Sequence, residues 1–232
     1  MKRTIAVFFV LGISLILPAA AQAGQLVVVE ARGVGYAQGT VLDSSKTIVL
    51  KEGQHLTLVS EDGSTIKLDG PYNGAPGTGS SNGISLSMKL AALQGGGQRT
   101  GEVGTTRAAR AATLPSAWLV DVGRSGSACL KEGDRPVLWR EAATNATQIT
   151  ITPDDQSWRA TLEWPAGDEQ LPLVAAVPLH AGTTYYVEMN GERHAVSVIT
   201  VPSSLSSDQM RAAWLANKGC DAQAQALLRS PT

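Results

Sequence analysis

Ser81 stands at the centre of Gly79-Ser80-Ser81-Asn82-Gly83, a G-x-S-x-G pattern. In hydrolases that pattern exposes a nucleophilic serine on a sharp turn between a strand and a helix, beneath backbone donors that hold the oxyanion. Here glycine and serine precede it from Gly77 to Ser80 with no strand to feed the turn. A serine hydrolase with Ser81 as nucleophile and His55 as its base is therefore the subordinate expectation. His55 has a nearer partner in Asp69, expected to face it across a hairpin as an exposed pair rather than as a catalytic dyad, since no nucleophile is placed beside it.

The other reactive residue types sort into structural roles. Asp154-Asp155 and Asp168-Glu169 fall in expected turns, without the common cleft that paired catalytic carboxylates need. Neither pair has the alternating oxygen ligands and central glycine of a calcium loop. The three histidines, His55, His180 and His194, show no metal-ligand spacing, so no metal and no cofactor are expected. Gly33-Val34-Gly35 follows a strand, but the third glycine of a dinucleotide fingerprint comes one position late at Gly39 and no helix follows, so it is read as a turn. Cys129 and Cys220 are expected to form a disulfide, with two free thiols as the alternative. Closing a loop of about 90 residues would stabilise the fold by about 4 to 5 kcal/mol in the chain-entropy model.

The start of the chain bears on where such a bond could form. Met1-Lys2-Arg3, the apolar run Ile5–Leu17 and the A-x-A sequence Ala21-Gln22-Ala23 read as a secretory signal peptide over residues 1–23, cut before Gly24. The run is too short to span a bilayer comfortably, and no later stretch is long enough, so no transmembrane segment is expected after cleavage. Removal of Lys2 and Arg3 leaves 17 basic residues against 20 acidic ones, a formal net charge of −3. That balance argues against a nucleic-acid partner, which would call for a basic face. The protein is expected to be periplasmic or secreted.

Residues 24–72 read as a first β module. Gln25–Ala31 and Thr47–Leu50 are expected strands, followed by a hairpin whose register is set by a three-residue loop at Glu61-Asp62-Gly63. That loop places Leu58 opposite Ile66, Leu56 opposite Leu68, Thr57 opposite Lys67 and His55 opposite Asp69, keeping each apolar set on one face. Gly63 takes the left-handed position of the loop. Residues 73–113 carry nine glycines and few large apolar groups, so they read as a linker with one short helix around Leu86, Leu90 and Leu93 and a basic strip of Arg99, Arg107 and Arg110. The linker is expected to allow relative motion of the modules it joins.

Residues 114–202 carry further strands at Ala117–Val122, Pro136–Arg140, Gln148–Thr152, Trp158–Trp164, Leu173–Leu179, Thr183–Met189 and Glu192–Val201. Asn190-Gly191 is a two-residue hairpin signal that pairs Glu188 with Arg193, Val187 with His194 and Tyr185 with Val196. Such short strands at turn-punctuated spacing predict an antiparallel immunoglobulin-like sandwich. Residues 203–232 change period: Ser206 or Ser207 caps a helix with Met210, Ala213 and Trp214 on one stripe, Gly219 ends it, and Asp221 starts a second helix. A bond between Cys129 and Cys220 would staple this tail to the sandwich. The fold class expected is mainly β with a short two-helix tail.

At GTVLDSSKTIVLKEGQHLTLVSEDGSTIKLDGPY the chain resembles the FecR-type periplasmic domain, whose pattern is a strand, a K-E-G-Q-like turn into a "lTL" strand, then D-G-S and an alternating strand. The resemblance covers residues 25–72. It implies a β-rich module of the periplasm. Members acting in iron-uptake signalling also carry a membrane anchor and a cytoplasmic segment that contacts a sigma factor, and nothing in this chain resembles those parts.

The function expected is an exported, non-enzymatic envelope module, a binding or scaffold element for a protein partner or the cell-wall glycan. A structural subunit of an envelope assembly is the other alternative to the Ser81 hydrolase. Most of the five tryptophans should be core. Trp118, Trp139 and Tyr186 are the candidates for an exposed partner surface.

Overall fold

The computed structural model describes residues 24–76, 113–141 and 144–229. Residues 1–23, read as a signal peptide, Ser81 with its G-x-S-x-G pattern, and the expected short helix and basic strip of the linker lie outside the described residues; the expected linker start at residue 73 is corrected, because Asn73 and Gly74 belong to a strand that pairs with Ile48 and Val49. Among those described there are 14 strands and two helices.

The first module is a four-stranded sheet in the order β2 (Val41–Asp43), β1 (Gln25–Arg32), β4 (His55–Ser60), β5 (Thr65–Asp69), covered by the two-stranded pair β3 (Ile48–Leu50) and β6 (Tyr72–Gly74). Leu26, Val28, Ile48, Leu50, Leu56, Leu58 and Leu68 fill the space between them. The β4–β5 hairpin has the expected register, with Leu58 opposite Ile66, Leu56 opposite Leu68 and His55 opposite Asp69. Gly63 has φ +80°, a left-handed conformation that strains any residue with a Cβ. Gly70 is required for a different reason: a Cβ there would lie 1.8 Å from the Lys51 carbonyl oxygen.

One irregularity in β1 decides what the outer face of this sheet carries. Val28 pairs with Leu58 and Glu30 with Thr57, so Val29 is an extra residue in a β-bulge. Because strand side chains alternate, an extra residue reverses the facing of everything after it. Val27 and Val29 point outward before the bulge takes effect, and Glu30 and Arg32 point outward after it, while Ala31 turns to the core. The outer face thus has an apolar end (Val27, Val29, Val59) and a polar end (Glu30, Arg32, His55, Thr57, Lys67).

The second module is a sandwich. A five-stranded sheet runs β11 (Ala160–Trp164), β10 (Thr147–Pro153), β13 (Thr184–Met189), β14 (Glu192–Val201), β8 (Gly126–Lys131), and a three-stranded sheet runs β12 (Gln170–Pro172), β9 (Val137–Trp139), β7 (Leu119–Asp121). Val120, Leu138, Ile149, Ile151, Trp164, Tyr185, Val187, Val196 and Val198 pack between them. The Asn190-Gly191 hairpin pairs Glu188 with Arg193, Val187 with His194 and Tyr185 with Val196, as expected. The ladders are antiparallel except at two places, where β8 runs parallel to β14 and β7 parallel to β9. The run Leu173–Leu179 is not a strand. Val177 N–H bonds Val174 O in a turn, and the strand lies just before it at β12, pairing with β9.

Two helices follow, α1 (Asp208–Asn217) and α2 (Asp221–Arg229). Ser207 caps α1, its hydroxyl accepting from Met210 N–H at 3.1 Å, and Gly219 follows its end at φ +78°. The helix pair does more than lie on the sandwich. A single buried cluster gathers Met210, Ala213, Trp214, Leu215, Ala224 and Leu227 of the helices, Leu119, Cys129, Trp139 and Val201 of the sandwich, and Val27, Val29 and Val59 of the first sheet. The expected freedom of the two modules to move does not fit this arrangement, because separating them would expose that shared apolar surface to water. Sequence periodicity shows that a helix has an apolar stripe but not how many neighbours will cover it.

On the sandwich side the joint is covalent and polar as well. Cys129 and Cys220 form the expected disulfide, 91 residues apart. Gln223, 3 % exposed, accepts from Cys129 N–H at 2.7 Å and donates to Cys129 O at 2.8 Å and Ala117 O at 2.7 Å. Its amide satisfies both backbone groups of an edge-strand residue, as a further strand would, and so closes that edge of the sheet.

Candidate functional site

Two surfaces gather polar side chains in an ordered way. The first is the face of the five-stranded sheet opposite the sandwich core, away from the end of β14 and β8 that the helices cover. Thr161, Thr150, Glu188 and Arg193 form one row across four strands, and Thr152, Tyr186 and Ala195 the next. Tyr186 is half-buried, with a threonine and an alanine as its cross-strand neighbours, so its ring rises above the surface around it. The Arg193 guanidinium lies 4.0 Å from the ring centroid. Glu188 steadies that arginine at 3.6 Å and also pairs with Arg159 at 3.1 Å. Thr150 and Thr161 share a hydrogen bond at 3.3 Å. The result is a face with one propped aromatic ring and three charges held in a chain.

The other two expected surface aromatics behave differently. Trp139 is 6 % exposed and packs in the helix-pair core, which removes it from any partner surface. The cause is the alternation of β9: Leu138 points to the sandwich interior, so Trp139 points to the opposite side, where the helices lie. Trp118 is half-buried against the same core, with Lys131 Nζ 4.2 Å above its ring.

The second surface is a cleft of about 330 Å³ between the polar end of the first sheet and the end of α1, lined by Glu30, Arg32, His55, Thr57, Lys67 and Lys218 among others. His55 is here, with Nδ1 2.5 Å from Asp69 Oδ1 and both side chains more than half exposed. That is the exposed cross-strand pair read from the hairpin register. Arg32 Nε donates to Glu30 at 2.8 Å. Lys218 Nζ donates to Val29 O at 3.0 Å and Gln38 Oε1 at 2.9 Å, and burial holds its pKa below the ordinary lysine value, partly offset by the charge of Glu30.

The remaining acidic groups serve turns. Asp62 accepts from Ser60 Oγ, from Ser64 N–H at 3.1 Å and from Ser64 Oγ at 2.8 Å, and the Ser60 bond leads in holding its pKa below the usual carboxylate value. Asp155 accepts from Ser157 N–H at 3.0 Å, which likewise lowers its pKa. The backbone carbonyls of Asp168 and Pro165 hold the buried Arg140 guanidinium, which stacks 4.7 Å from the Trp164 ring centroid. Gly33 has φ +70° in a turn after β1 that no helix follows. Among the described residues no group of three or more His, Cys, Asp or Glu comes together, and no helix is long and apolar enough to cross a membrane.

Arg193, Lys67 and Lys218 have no functional role in the sequence reading, yet each lies on one of these two surfaces. Arg193 was within reach, because the Asn190-Gly191 register places it one pair from Tyr186 on the same face. Lys218 carried no such signal: its position depends on α1 docking on a sheet more than 150 residues earlier in the chain. No protein-family model matches the chain, and no curated protein matches its sequence.

Proposed function

We propose that this protein is an exported envelope module that works by binding a protein partner, with no chemical step, through the open face around Tyr186. The observation that carries this reading is the Tyr186–Arg193–Glu188–Arg159 chain on the part of the sheet face that the helices leave uncovered. Tyrosine and arginine are the residue types that most often anchor protein interfaces, and a ring already ordered by a stacked guanidinium loses little freedom on binding. Arg193 occupies one face of the ring, which disfavours the sugar stacking that a glycan-binding tyrosine offers, so a protein is preferred to the cell-wall glycan. Export is supported by the N-terminal leader pattern and by the disulfide, a bond that persists in oxidising compartments. The resemblance of residues 25–72 to the FecR-type domain is consistent with a periplasmic setting.

The test is a photo-crosslinking amino acid placed at Thr161 in the native cell, with the same probe at exposed Lys46 as control. One defined protein adduct at Thr161, reduced at least about tenfold by Arg193→Glu, is expected for an interface anchor. Adducts of equal yield at both positions would defeat the reading. So would ester hydrolysis by the purified protein that disappears in Ser81→Ala, which would restore the hydrolase alternative.

A further inference from the structure

From the cleft between the first sheet and the end of α1, we infer that the protein carries a binding site for a small dianion of the phosphate class, formed by Arg32, Lys67 and Lys218. The chain as a whole is slightly acidic, with 19 basic residues against 20 acidic ones, yet this cleft is lined by three cations and one carboxylate. Glu30 is the carboxylate, and it is engaged by Arg32 Nε, which leaves the two terminal nitrogens of that guanidinium free to donate. Asp69, next to His55 of the lining, is bound to that histidine and 73 % exposed.

The three cations approach from different directions. Arg32 and Lys67 rise from the floor at opposite corners of two cross-strand rows, Arg32–His55–Asp69 and Glu30–Thr57–Lys67. Lys218 comes from the wall, anchored by two of its three N–H donors, with its ammonium 4.8 Å from the Trp214 ring centroid. Among the described residues Lys67 has no side-chain hydrogen bond or ion pair of its own. Such a set suits a group with oxygens pointing several ways and a double charge, rather than a planar carboxylate with one.

A helix C-terminus ordinarily repels an anion. Here the last carbonyls of α1 are occupied: Ala213 O accepts from Asn217 Nδ2 at 2.8 Å, Trp214 O from Lys218 N–H at 3.0 Å, Leu215 O from Cys220 N–H at 2.8 Å and Ala216 O from Gly219 N–H at 3.3 Å. That leaves the Lys218 ammonium as the strongest charge the helix presents to the cleft. The volume, about 330 Å³, is at the small end of the range for ligand sites and matches a phosphorylated fragment rather than a polymer.

The experiment titrates inorganic phosphate into ¹⁵N-labelled mature protein at constant ionic strength, with sodium acetate as a parallel arm. Saturable amide shifts confined to residues around Arg32, Thr57, Lys67 and Lys218 are expected for phosphate and not for acetate. Lys67→Glu should weaken the binding at least about tenfold, the size expected for losing a hydrogen bond to a charged group, while Lys46→Glu leaves it unchanged. Lys67 is a surface residue, so its variant should keep the parent's thermal midpoint; Arg32→Gln repeats the test if it does not. Glycerol phosphate, and vesicles with or without phosphatidylglycerol, then separate a free phosphorylated ligand from a lipid headgroup. Unsaturated shifts spread over the surface, equal binding of acetate, or saturable shifts that survive both variants would overturn the inference.

Discussion

The helix pair meets its two neighbours by different means. Against the sandwich it has a disulfide, the threefold hydrogen bonding of Gln223 and a broad apolar contact. Against the first sheet it and the turn before it have three valines and a rim of polar contacts: Ser204 Oγ to Gly39 O at 2.8 Å, Ser207 Oγ to Glu61 O at 2.8 Å, Asn217 Nδ2 to Thr65 Oγ1 at 3.4 Å and Lys218 Nζ to Val29 O at 3.0 Å. A covalent, buried joint fixes position at high energetic cost of rupture. A rim of exposed and half-exposed hydrogen bonds fixes orientation, each contributing about 1 kcal/mol net. The tail is thus anchored on one side and docked on the other, and the cleft lies on the docked side.

Three changes would break or sharpen this contrast. The largest effect is expected from Cys220→Ser together with Cys129→Ser, which removes the closure of a 91-residue separation and should cost about 4 to 5 kcal/mol by the chain-entropy account. Guanidinium unfolding of the variant and of the reduced parent measures it, and a loss under about 1 kcal/mol would show that the bond does not anchor the tail. Next is Gln223→Leu, which keeps the volume but strands one backbone N–H and two carbonyls in a buried place, for a loss of about 3 kcal/mol. Hydrogen exchange at the Cys129 amide should quicken in that variant; unchanged protection there would mean that another group closes the edge of β8. The smallest is Ser207→Ala, which removes both the cap of α1 and the contact to Glu61, about 1 to 2 kcal/mol together. Its signature should be exchange at the start of α1 and in the Glu61–Gly63 loop with the sandwich amides unaffected. Equal quickening in all three places would argue that the two joints are not distinct.

What the sequence made legible were the local decisions. Asp62-Gly63 and Asn190-Gly191 each impose a loop length, loop length imposes register, and register places every side chain of its hairpin on one face or the other. Ser207, Gly219 and Asp221 likewise mark helix limits through groups a few residues away. The strands β2 and β6 have three residues each and β8 has three buried residues in succession, so none shows an alternation of its own and each is held by a partner elsewhere in the chain. The run Leu173–Leu179 misled for the converse reason: it is apolar and partly buried, yet Val174 to Val177 turns and Pro178 has no N–H to give a ladder. The bulge at Val29 shows the limit most sharply. Three valines in succession look like an uninterrupted strand, and only the pairing with β4 reveals which of them is extra and hence that Glu30 and Arg32 face outward. The residue type of Trp139 suggests a surface anchor, whereas its side of β9 is set by Leu138 and by helices about 70 residues later.

The docked side of the helix pair also orders events in time. Val27, Val29 and Val59 are synthesised well before Met210, Trp214 and the other helix residues that shelter them. A chain emerging from the ribosome therefore leaves that apolar end of its first sheet uncovered until the helices follow, and forms cut before Asp208 should be sticky and easily cleaved around Val27. Late burial of this kind makes one patch of the molecule wait on residues far along the chain while the other side of the same sheet is already packed.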